Sequence, residues 1–209
     1  MKVNFKPIYL GIAAAMLASP ALWAADAAQD KALGFGVTLA TDSLKKVSHN
    51  STGFNLNGSL DFNIPSTNIK FRPGLGLSIF PGKKGDNWYY ELERNVSTKT
   101  QLINVQASFD LVIPTRFGEA FNLVTGLSLN QWRYSGQAYN NDPHPFRMEG
   151  SKASADLKLG LRVGMNYKFN NKWSGEALLQ MVEYGYPTTD VTSYTINPCW
   201  MQLGVKYHF

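Results

Sequence analysis

Three histidines and one cysteine are the residues from which this chain could build acid–base or nucleophilic chemistry. His49 lies in a polar segment, His144 lies between two prolines, and His208 is the penultimate residue. A catalytic nucleophile needs a base beside it and an acid that orients the base. No histidine has such a set at adjacent positions of one strand face, and no metal-ligand spacing or phosphate-binding glycine loop occurs. We therefore predict no enzymatic activity, no metal site and no cofactor, and Cys199 serves as a small apolar residue.

Charged residues form a second group with a recognisable spacing. The formal net charge is +5, but the basic residues are dispersed and form no long run, so nucleic-acid binding is not predicted. Many charges alternate with apolar residues and therefore share one face of an extended chain. We predict that they form an interior network of ion pairs; the alternative is an ion path lined by charges. The network residues are Asp61, Lys70, Arg72, Asp110, Asp156, Lys158, Arg162 and Glu176, and Lys168 and Lys206 share their face.

One pairing in this network follows from hairpin register. If Ile64 pairs with Ile69, then Asp61 lies across from Arg72 on the same face. An interior charge without a partner costs several kcal/mol, so such a pair has to be matched. We predict an Asp61–Arg72 ion pair.

Aromatic and arginine side chains are concentrated in two polar stretches, 81–100 and 131–152. Tyrosine, tryptophan and arginine are enriched in binding hot spots, so these stretches are candidates for recognition of a partner. The alternative is that the flanking strands continue through them, with aromatic residues pairing across the strands and forming an outer girdle; both interpretations can hold together. The candidate residues are Trp88, Tyr89, Tyr90, Arg94, Trp132, Tyr134, Phe146 and Arg147.

Period-two alternation identifies the elements that must position these residues. Apolar residues alternate with polar residues or glycine in eight stretches: 33–39, 54–64, 69–79, 103–113, 121–129, 153–169, 173–181 and 201–209. No segment carries apolar residues at helical spacing over three turns, so an all-β fold is predicted. Short turns at 64–68, 114–119 and 170–172 alternate with long stretches at 41–52, 81–100, 131–152 and 185–196. This sorting is typical of an eight-stranded antiparallel up-and-down transmembrane β-barrel.

Aromatic residues support a membrane location. Rings in the apolar phase cluster near the short turns, as in the aromatic girdle of a transmembrane barrel. They are Phe62, Phe71, Phe121, Tyr167, Phe169, Trp173, Tyr207 and Phe209. An eight-stranded barrel has an interior that side chains can fill, which favours structural charge pairing over a wide aqueous pore.

Both chain ends fit this location. Lys2 and Lys6 precede a short apolar core and a run of small residues, which is the layout of a secretory signal peptide. We predict a signal peptide at 1–24, with cleavage after Ala24 or after Ala27, and a single barrel domain at 25–209.

The closing strand carries Leu203, Val205, Tyr207 and Phe209 on one face and resembles the C-terminal assembly signal of bacterial outer-membrane barrels. With the eight alternating segments, the chain resembles the small eight-stranded outer-membrane β-barrels: the membrane domain of outer membrane protein A, outer membrane protein X and Opa-like adhesins. The resemblance implies residence in the bacterial outer membrane and insertion by the barrel assembly machinery. No residue-level functional motif of these proteins is present.

Three functions are open at this point. We predict a structural or surface-binding, adhesin-like barrel that acts through its long outer segments, contacts outer-membrane lipid and lipopolysaccharide, and takes an extracellular ligand if it binds one. The alternatives are a small porin-like channel and, less favoured, a lipid A-modifying outer-membrane enzyme. The histidine settings disfavour the enzyme, and the narrow eight-stranded interior disfavours the channel.

Overall fold

A computed structural model gives the fold. It describes residues 30–41, 44–45, 48–89, 94–117, 120–139, 147–153, 157–182, 184–185, 195–196 and 199–209. The predicted signal peptide lies outside these residues. In the part of the chain that is described, no helix has the length and apolar character needed to span a bilayer.

The described residues contain twelve strands. They are β1 (Asp30–Ala40), β2 (Thr52–Asn63), β3 (Lys70–Phe80), β4 (Lys84–Tyr89), β5 (Arg94–Pro114), β6 (Phe121–Tyr139), β7 (Arg147–Ala153), β8 (Lys158–Lys168), β9 (Trp173–Val182), β10 (Tyr184–Gly185), β11 (Thr195–Ile196) and β12 (Cys199–His208). Eight of them close into an antiparallel barrel in the order β1-β2-β3-β5-β6-β8-β9-β12. The predicted eight-stranded up-and-down barrel is confirmed.

Closure joins the first strand of the barrel to the last. β1 pairs with β12 from Ala32 opposite His208 to Ala40 opposite Trp200. Gly36 and Gly204 are direct partners in this seam, and a Cβ on Gly36 would lie only 2.1 Å from the Leu203 carbonyl oxygen. Glycine is therefore required where the two backbones approach each other most closely.

The outward face of the barrel is apolar, as the alternation predicts. Aromatic rings at the short-turn end touch one another: Tyr167 and Phe169 have centroids 5.5 Å apart, and Tyr207 lies 5.1 Å from both Trp173 and Phe209. Edge-to-face contacts of this kind stabilise neighbouring rings. They form an aromatic girdle at the end that carries the short turns, which is the periplasmic end of such a barrel.

β5 and β6 are the longest strands because they continue past the rim of the barrel at the opposite, outer end. β4 pairs with β5 from Lys84–Lys99 to Tyr89–Arg94, and β7 pairs with β6 from Arg133–Ala153 to Tyr139–Arg147. β5 and β6 stay paired as far as Ser97 and Tyr139. We call this four-stranded extension the projecting sheet: β4, residues 94–101 of β5, residues 133–139 of β6, and β7. The strands therefore continue through much of stretches 81–100 and 131–152, and this continuation is compatible with a binding role for the same stretches.

Candidate functional site

The periplasmic half of the barrel interior holds a branched ion-pair network. Arg72 donates from Nε to Asp61 Oδ1 at 2.6 Å, from Nη2 to Asp61 Oδ2 at 3.0 Å, and from Nη1 to Glu176 Oε2 at 3.1 Å. Lys206 Nζ lies 2.8 Å from the same Glu176 oxygen, and Lys70 Nζ lies 3.8 Å from Asp61. Arg72 is thus held by both carboxylates at once. Bidentate arginine–carboxylate pairing is among the stronger charge-assisted contacts.

A second ion pair spans an intervening strand. Asp110 on β5 and Arg162 on β8 are both register partners of Gly126 on β6. A Cβ on Gly126 would lie 2.5 Å from Asp110 Oδ1, so only glycine leaves the two side chains room to meet. Arg162 Nε reaches 3.2 Å from Asp110 Oδ1, although its N–H does not point at that oxygen. The pair is electrostatic rather than a well-aligned hydrogen bond.

The remaining charged candidates occupy less central positions. Lys70 is 26% exposed at the start of β3, and Lys158 and Lys168 are half-buried at the two ends of β8. Asp156 lies outside the described residues. Lys206 lies on the inward face that the alternation predicts, and its side chain is almost completely enclosed in the network. Three anions and three cations are buried in the described interior: Asp61, Asp110, Glu176, Arg72, Arg162 and Lys206.

An amide and hydroxyl layer lies between this network and the outer rim. Gln180 donates to Asn130 Oδ1 at 2.9 Å and to Ser128 Oγ at 3.0 Å. From another wall, Asn55 donates to Ser78 Oγ at 3.1 Å and Gln202 donates to the same hydroxyl at 3.3 Å. Asn55 and Ser78 are register partners on neighbouring strands, whereas the bonds of Gln180 and Gln202 join strands that are not adjacent in the barrel. The middle of the barrel is therefore filled with side chains.

An apolar plug closes the outer end of the interior. Phe80, Trp132 and Trp200 pack on one another, with centroid distances of 6.2 Å, 6.0 Å and 5.3 Å, and all three are almost completely buried. Leu102 and Val182 complete the plug from the barrel wall, and Leu44 enters it from the segment between β1 and β2. The plug places a dry layer across the mouth of the barrel.

Burial in the plug contradicts the prediction that Trp132 is a surface binding residue. Its residue type and position suggested a surface binding residue, but it lies on β6 with only 1% of its surface exposed. It occupies the same inward phase as Ser128 and Asn130, which the alternation assigns to the interior. The signal was present in the sequence, because Phe80, Trp132 and Trp200 all fall in the polar, inward phase of their strands.

The segment that carries Leu44 is fixed to the rim by hydrogen bonds. Ser48 Oγ donates to the Leu44 carbonyl at 2.9 Å, and the Ser48 carbonyl accepts from the Lys83 amide at 2.8 Å. Asn50 Nδ2 donates to the Pro81 carbonyl at 2.8 Å, and His49 Nε2 lies 3.2 Å from Thr98 Oγ1. The polar residues around His49 thus hold this segment across the barrel mouth.

His208 also differs from the prediction that no histidine lies beside both a nucleophile and an acid. The sequence shows no nucleophile or acid beside it, but barrel closure brings both: Ser174 Oγ lies 2.8 Å from His208 Nε2, and both Asp30 carboxylate oxygens lie 3.0 Å from His208 Nδ1. This connectivity is that of a serine–histidine–aspartate triad. Ser174 is completely buried, however, and its Oγ already accepts a hydrogen bond from Asn166 at 3.1 Å. A substrate carbonyl has no access to this hydroxyl, so the arrangement ties β9, β12 and β1 together.

No metal centre stands out in the described residues. Nowhere among them do three or more histidine, cysteine, aspartate or glutamate side chains gather in a way that could hold a metal ion. The free Cys199 is partly buried at the start of β12.

The projecting sheet carries most of the remaining candidates. Trp88, Tyr89, Arg94, Tyr134 and Arg147 lie on its strands, where Trp88 pairs with Asn95, Tyr89 with Arg94, and Tyr134 with Lys152. Tyr90 and Phe146 lie outside the described residues. The strands bring these backbones into one sheet beyond the barrel rim.

Among side chains that the structure describes, the projecting sheet presents lysines. Lys84 and Lys99 are direct register partners, and both are exposed. Like charges directly opposite each other on a sheet destabilise the pairing. The register therefore places two lysines side by side on one face of the projecting sheet.

The closing strand places its predicted assembly residues on the outside. Leu203 and Phe209 are exposed, and Val205 and Tyr207 are half-exposed. The Phe209 amide donates to the Lys31 carbonyl at 2.9 Å, so the terminal aromatic residue is bound to β1.

Comparisons with solved structures agree with this architecture. A major outer membrane protein from Thermus thermophilus superposes with a TM-score of 0.56 at 13% identity, covering 86% of this chain and 99% of that one. Ail, the attachment invasion locus protein of Yersinia pestis, superposes with a TM-score of 0.50 at 13% identity, covering 86% and 98%. At such identities the likeness shows the fold alone. No curated protein matches the sequence.

The sequence itself matches the outer membrane protein β-barrel domain family over residues 11–209. This match covers all eight barrel strands and the projecting sheet, and it agrees with the closed barrel, the apolar outer wall and the aromatic girdle. The chain therefore belongs to the outer membrane protein β-barrel domain family, and it is an integral protein of the bacterial outer membrane.

Proposed function

We propose that this protein is a surface-binding barrel that recognises an anionic partner through its projecting sheet. The observation that carries the proposal is the extension of β5 and β6 beyond the barrel rim, with β4 and β7 paired alongside them. A barrel needs no such extension to cross a membrane, since a transmembrane strand requires only about 9–11 residues. The 21 residues of β5 and 19 of β6 place a folded surface outside the bilayer.

The contents of the barrel support binding rather than transport. A solute would have to displace the apolar plug, the amide layer and the buried ion pairs in turn. An eight-stranded barrel leaves room for side chains in its interior but little for a continuous water path. We expect no stable conductance in planar bilayers, and a stable open channel would count against this proposal.

The same reasoning disfavours a lipid A-modifying enzyme. The one nucleophile–base–acid set in the described residues, Ser174–His208–Asp30, is enclosed at the periplasmic end of the interior. A lipid A substrate would approach from the outer leaflet, at the other end of the barrel. An unchanged lipid A profile on overexpression is the expected result.

Charge indicates the class of partner. Lys84 and Lys99 are register partners on β4 and β5 and both are exposed, so two positive charges lie close together on one face of the sheet. Charges of this sign attract an anionic group of a partner. Phosphate groups of lipopolysaccharide, acidic polysaccharides on host surfaces and acidic faces of other membrane proteins share this chemistry. Lipopolysaccharide is the first candidate, because the sheet rises from the outer face of the membrane.

A charge-reversal experiment tests this proposal. Lys84→Glu combined with Lys99→Glu should weaken binding of the reconstituted barrel to lipopolysaccharide micelles and to a sulfated polysaccharide. Binding of the parent should fall as salt rises, because salt screens exposed charges. Lys172→Glu is the matched control, since Lys172 is exposed in the short turn at the opposite end.

Shortening the projecting sheet tests whether binding needs the sheet as a whole, whereas charge reversal tests only its two lysines. Replacing residues 84–99 and 135–151 with tight turns should abolish binding while the barrel still inserts, as checked by heat-modifiable gel migration. A trimmed barrel that binds as well as the parent would contradict the proposal. If the charge-reversal variant binds normally and the trimmed barrel does not, the sheet recognises its partner through residues other than these lysines. The proposal that the partner is anionic would then be wrong.

Assembly of the barrel is proposed to depend on the closing strand. Recognition by the barrel assembly machinery would use the outward residues Leu203, Val205, Tyr207 and Phe209. Deleting Phe209 also removes the hydrogen bond to Lys31. The folded amount in the membrane should fall, and an unchanged amount would remove this part of the proposal.

A further inference from the structure

An apolar groove of about 260 Å³ runs across the lipid-facing wall formed by β1, β2, β3 and β5. Its walls are Leu33, Leu60, Leu75 and Phe109, and Phe209 stands at one end. The outer wall of a barrel is convex, so a recess of this size needs a specific cause.

The cause is an alternation of large and small residues across the strands. Leu33, Gly58, Leu75 and Ala107 are successive register partners from β1 to β5. Gly58 and Ala107 have no long side chain, so the row is recessed at every second position. Pro73 fills the adjacent row with a compact ring. The leucines and Phe109 then stand up as the sides of the groove.

The groove climbs through the membrane. Leu33 lies three residues from the periplasmic end of β1, Gly58 and Leu75 lie five residues from theirs on β2 and β3, and Ala107 lies seven residues from that of β5. Barrel strands are tilted by roughly 35–45°, so a row perpendicular to them runs obliquely to the membrane. The groove therefore starts near the periplasmic interface and rises toward the middle of the bilayer.

The lower end of the groove has a cation. Lys31 lines it beside Phe209, whose backbone amide donates to the Lys31 carbonyl at 2.9 Å. Lysine side chains near an interface extend their charged ends toward lipid headgroups. The groove thus combines a basic group at headgroup depth with an apolar channel that leads into the hydrocarbon.

We infer that this groove is a binding site for one phospholipid of the periplasmic leaflet, with an acyl chain over the recessed positions Gly58, Pro73 and Ala107 and the phosphate near Lys31. A phospholipid in that leaflet has its headgroup at the periplasmic interface and its chains pointing toward the bilayer centre, which is the direction of the groove. A lipopolysaccharide chain enters from the opposite leaflet and would meet the groove with its polar end furthest from Lys31. This site is independent of the projecting sheet at the other end of the molecule.

The probe is phosphatidylglycerol with a diazirine in one acyl chain, present at low mole fraction in phosphatidylcholine nanodiscs that contain the full barrel. After illumination, peptide mapping should find cross-links concentrated on residues 73–75 and 107–109, severalfold above the lipid-facing positions of β8 and β9. Ala107→Leu fills the floor of the groove and should reduce this labelling severalfold. Ala177→Leu is the matched control, because it is the same substitution on the lipid-facing side of β9.

The headgroup contact has its own test. Lys31→Gln should reduce the preference of the site for phosphatidylglycerol over the same probe with a phosphatidylcholine headgroup. Heat-modifiable migration verifies that each variant is folded. Equal labelling of the groove residues and of the lipid-facing positions of β8 and β9 would overturn the inference. Labelling that Ala107→Leu leaves unchanged would do so as well. So would cross-links between two copies of the chain at Ala107, or preferential labelling by a diazirine-bearing lipid A.

Discussion

Near the outer rim, the inward-facing strand positions carry Phe80, Trp132 and Trp200, whereas toward the periplasmic end they carry Arg72, Arg162 and Lys206. The two groups fill the same kind of space with opposite chemistry. The plug needs only apolar volume of the right shape, because dispersion and burial are nearly non-directional. The ion-pair network needs each partner in place, because a buried charge without its counterion is costly. We therefore expect the two regions to respond differently to matched changes.

The largest expected effect is on the network. Arg72→Ala leaves Asp61 without its bidentate partner and removes one of two cations from Glu176. Loss of one partner of a buried pair costs roughly 3–5 kcal/mol. The free energy of unfolding, measured by urea titration in lipid vesicles, should fall by this amount. Asp61→Ala should be similarly destabilising, and the double variant should cost less than the sum of the two. Strict additivity would show that the two residues do not form the pair described.

A smaller loss is expected in the plug. Leu44→Ala should cost about 2–3 kcal/mol, because a buried leucine truncation leaves a cavity that this segment can only partly close. Leu159→Ala is the control: Leu159 faces lipid with 58% of its surface exposed, and acyl chains can fill the space. Conductance should remain absent in Leu44→Ala, since the network still blocks the barrel below the plug. A conducting variant would mean that the plug alone keeps the barrel closed.

Two glycines of β6, Gly126 and Gly136, differ in how much room they leave for a side chain and give a third comparison. Gly126→Ala should cost roughly 1–3 kcal/mol, because the new methyl group would overlap the Phe109 carbonyl and Asp110. Gly136→Ala, further along β6, meets Thr100 Oγ1 at 3.3 Å, a tight contact with a side-chain atom rather than with backbone, and should cost less than Gly126→Ala. Thermal unfolding of the two variants checks the difference. Equal losses would mean that the Asp110–Arg162 pair does not require the gap at Gly126.

The smallest expected effect is at the periplasmic end of the seam. Ser174→Ala removes one neutral hydrogen-bond partner of His208 and leaves its contact with Asp30, so the loss should be about 1 kcal/mol. Ester hydrolysis by the parent should be undetectable. An esterase activity that disappears in Ser174→Ala would instead assign a catalytic role to this set and overturn the prediction that the protein is not an enzyme.

The sequence predicts the barrel well because alternation is local. Each run such as Leu33–Leu39 or Leu123–Leu129 reports which face meets lipid, and short turns such as 170–172 fix the connectivity. The Asp61–Arg72 contact can also be predicted from the sequence, since both residues belong to one hairpin. Contacts across the lumen cannot be predicted from the sequence in this way. Arg72 meets Glu176, and Gln180 meets Asn130, only because of how far the strands are staggered when the barrel closes.

The plug is hard to predict from the sequence for a different reason. Apolar residues at inward positions break the alternation for only one residue per strand, so Phe80, Trp132 and Trp200 look like strand ends or loop residues. The Ser174–His208–Asp30 set was missed because its members are separated in sequence by up to 178 positions. The inward phase of the three rings is visible in the sequence, but their contact with one another depends on the stagger of the closed barrel, and the Asp30–His208 contact depends on the register of β1 against β12.

The seam between β1 and β12 also constrains the order of events during folding. Hairpins such as β2–β3 join neighbours in sequence and can form with little loss of chain entropy. Asp30 and His208 are 178 positions apart, so bringing them together costs more chain entropy unless the strands between them are already paired. Until then both β1 and β12 present unpaired edges that invite pairing with other chains. We therefore expect closure of this seam to be a late, entropically costly step, and we expect the chain to be most open to aggregation and proteolysis before it.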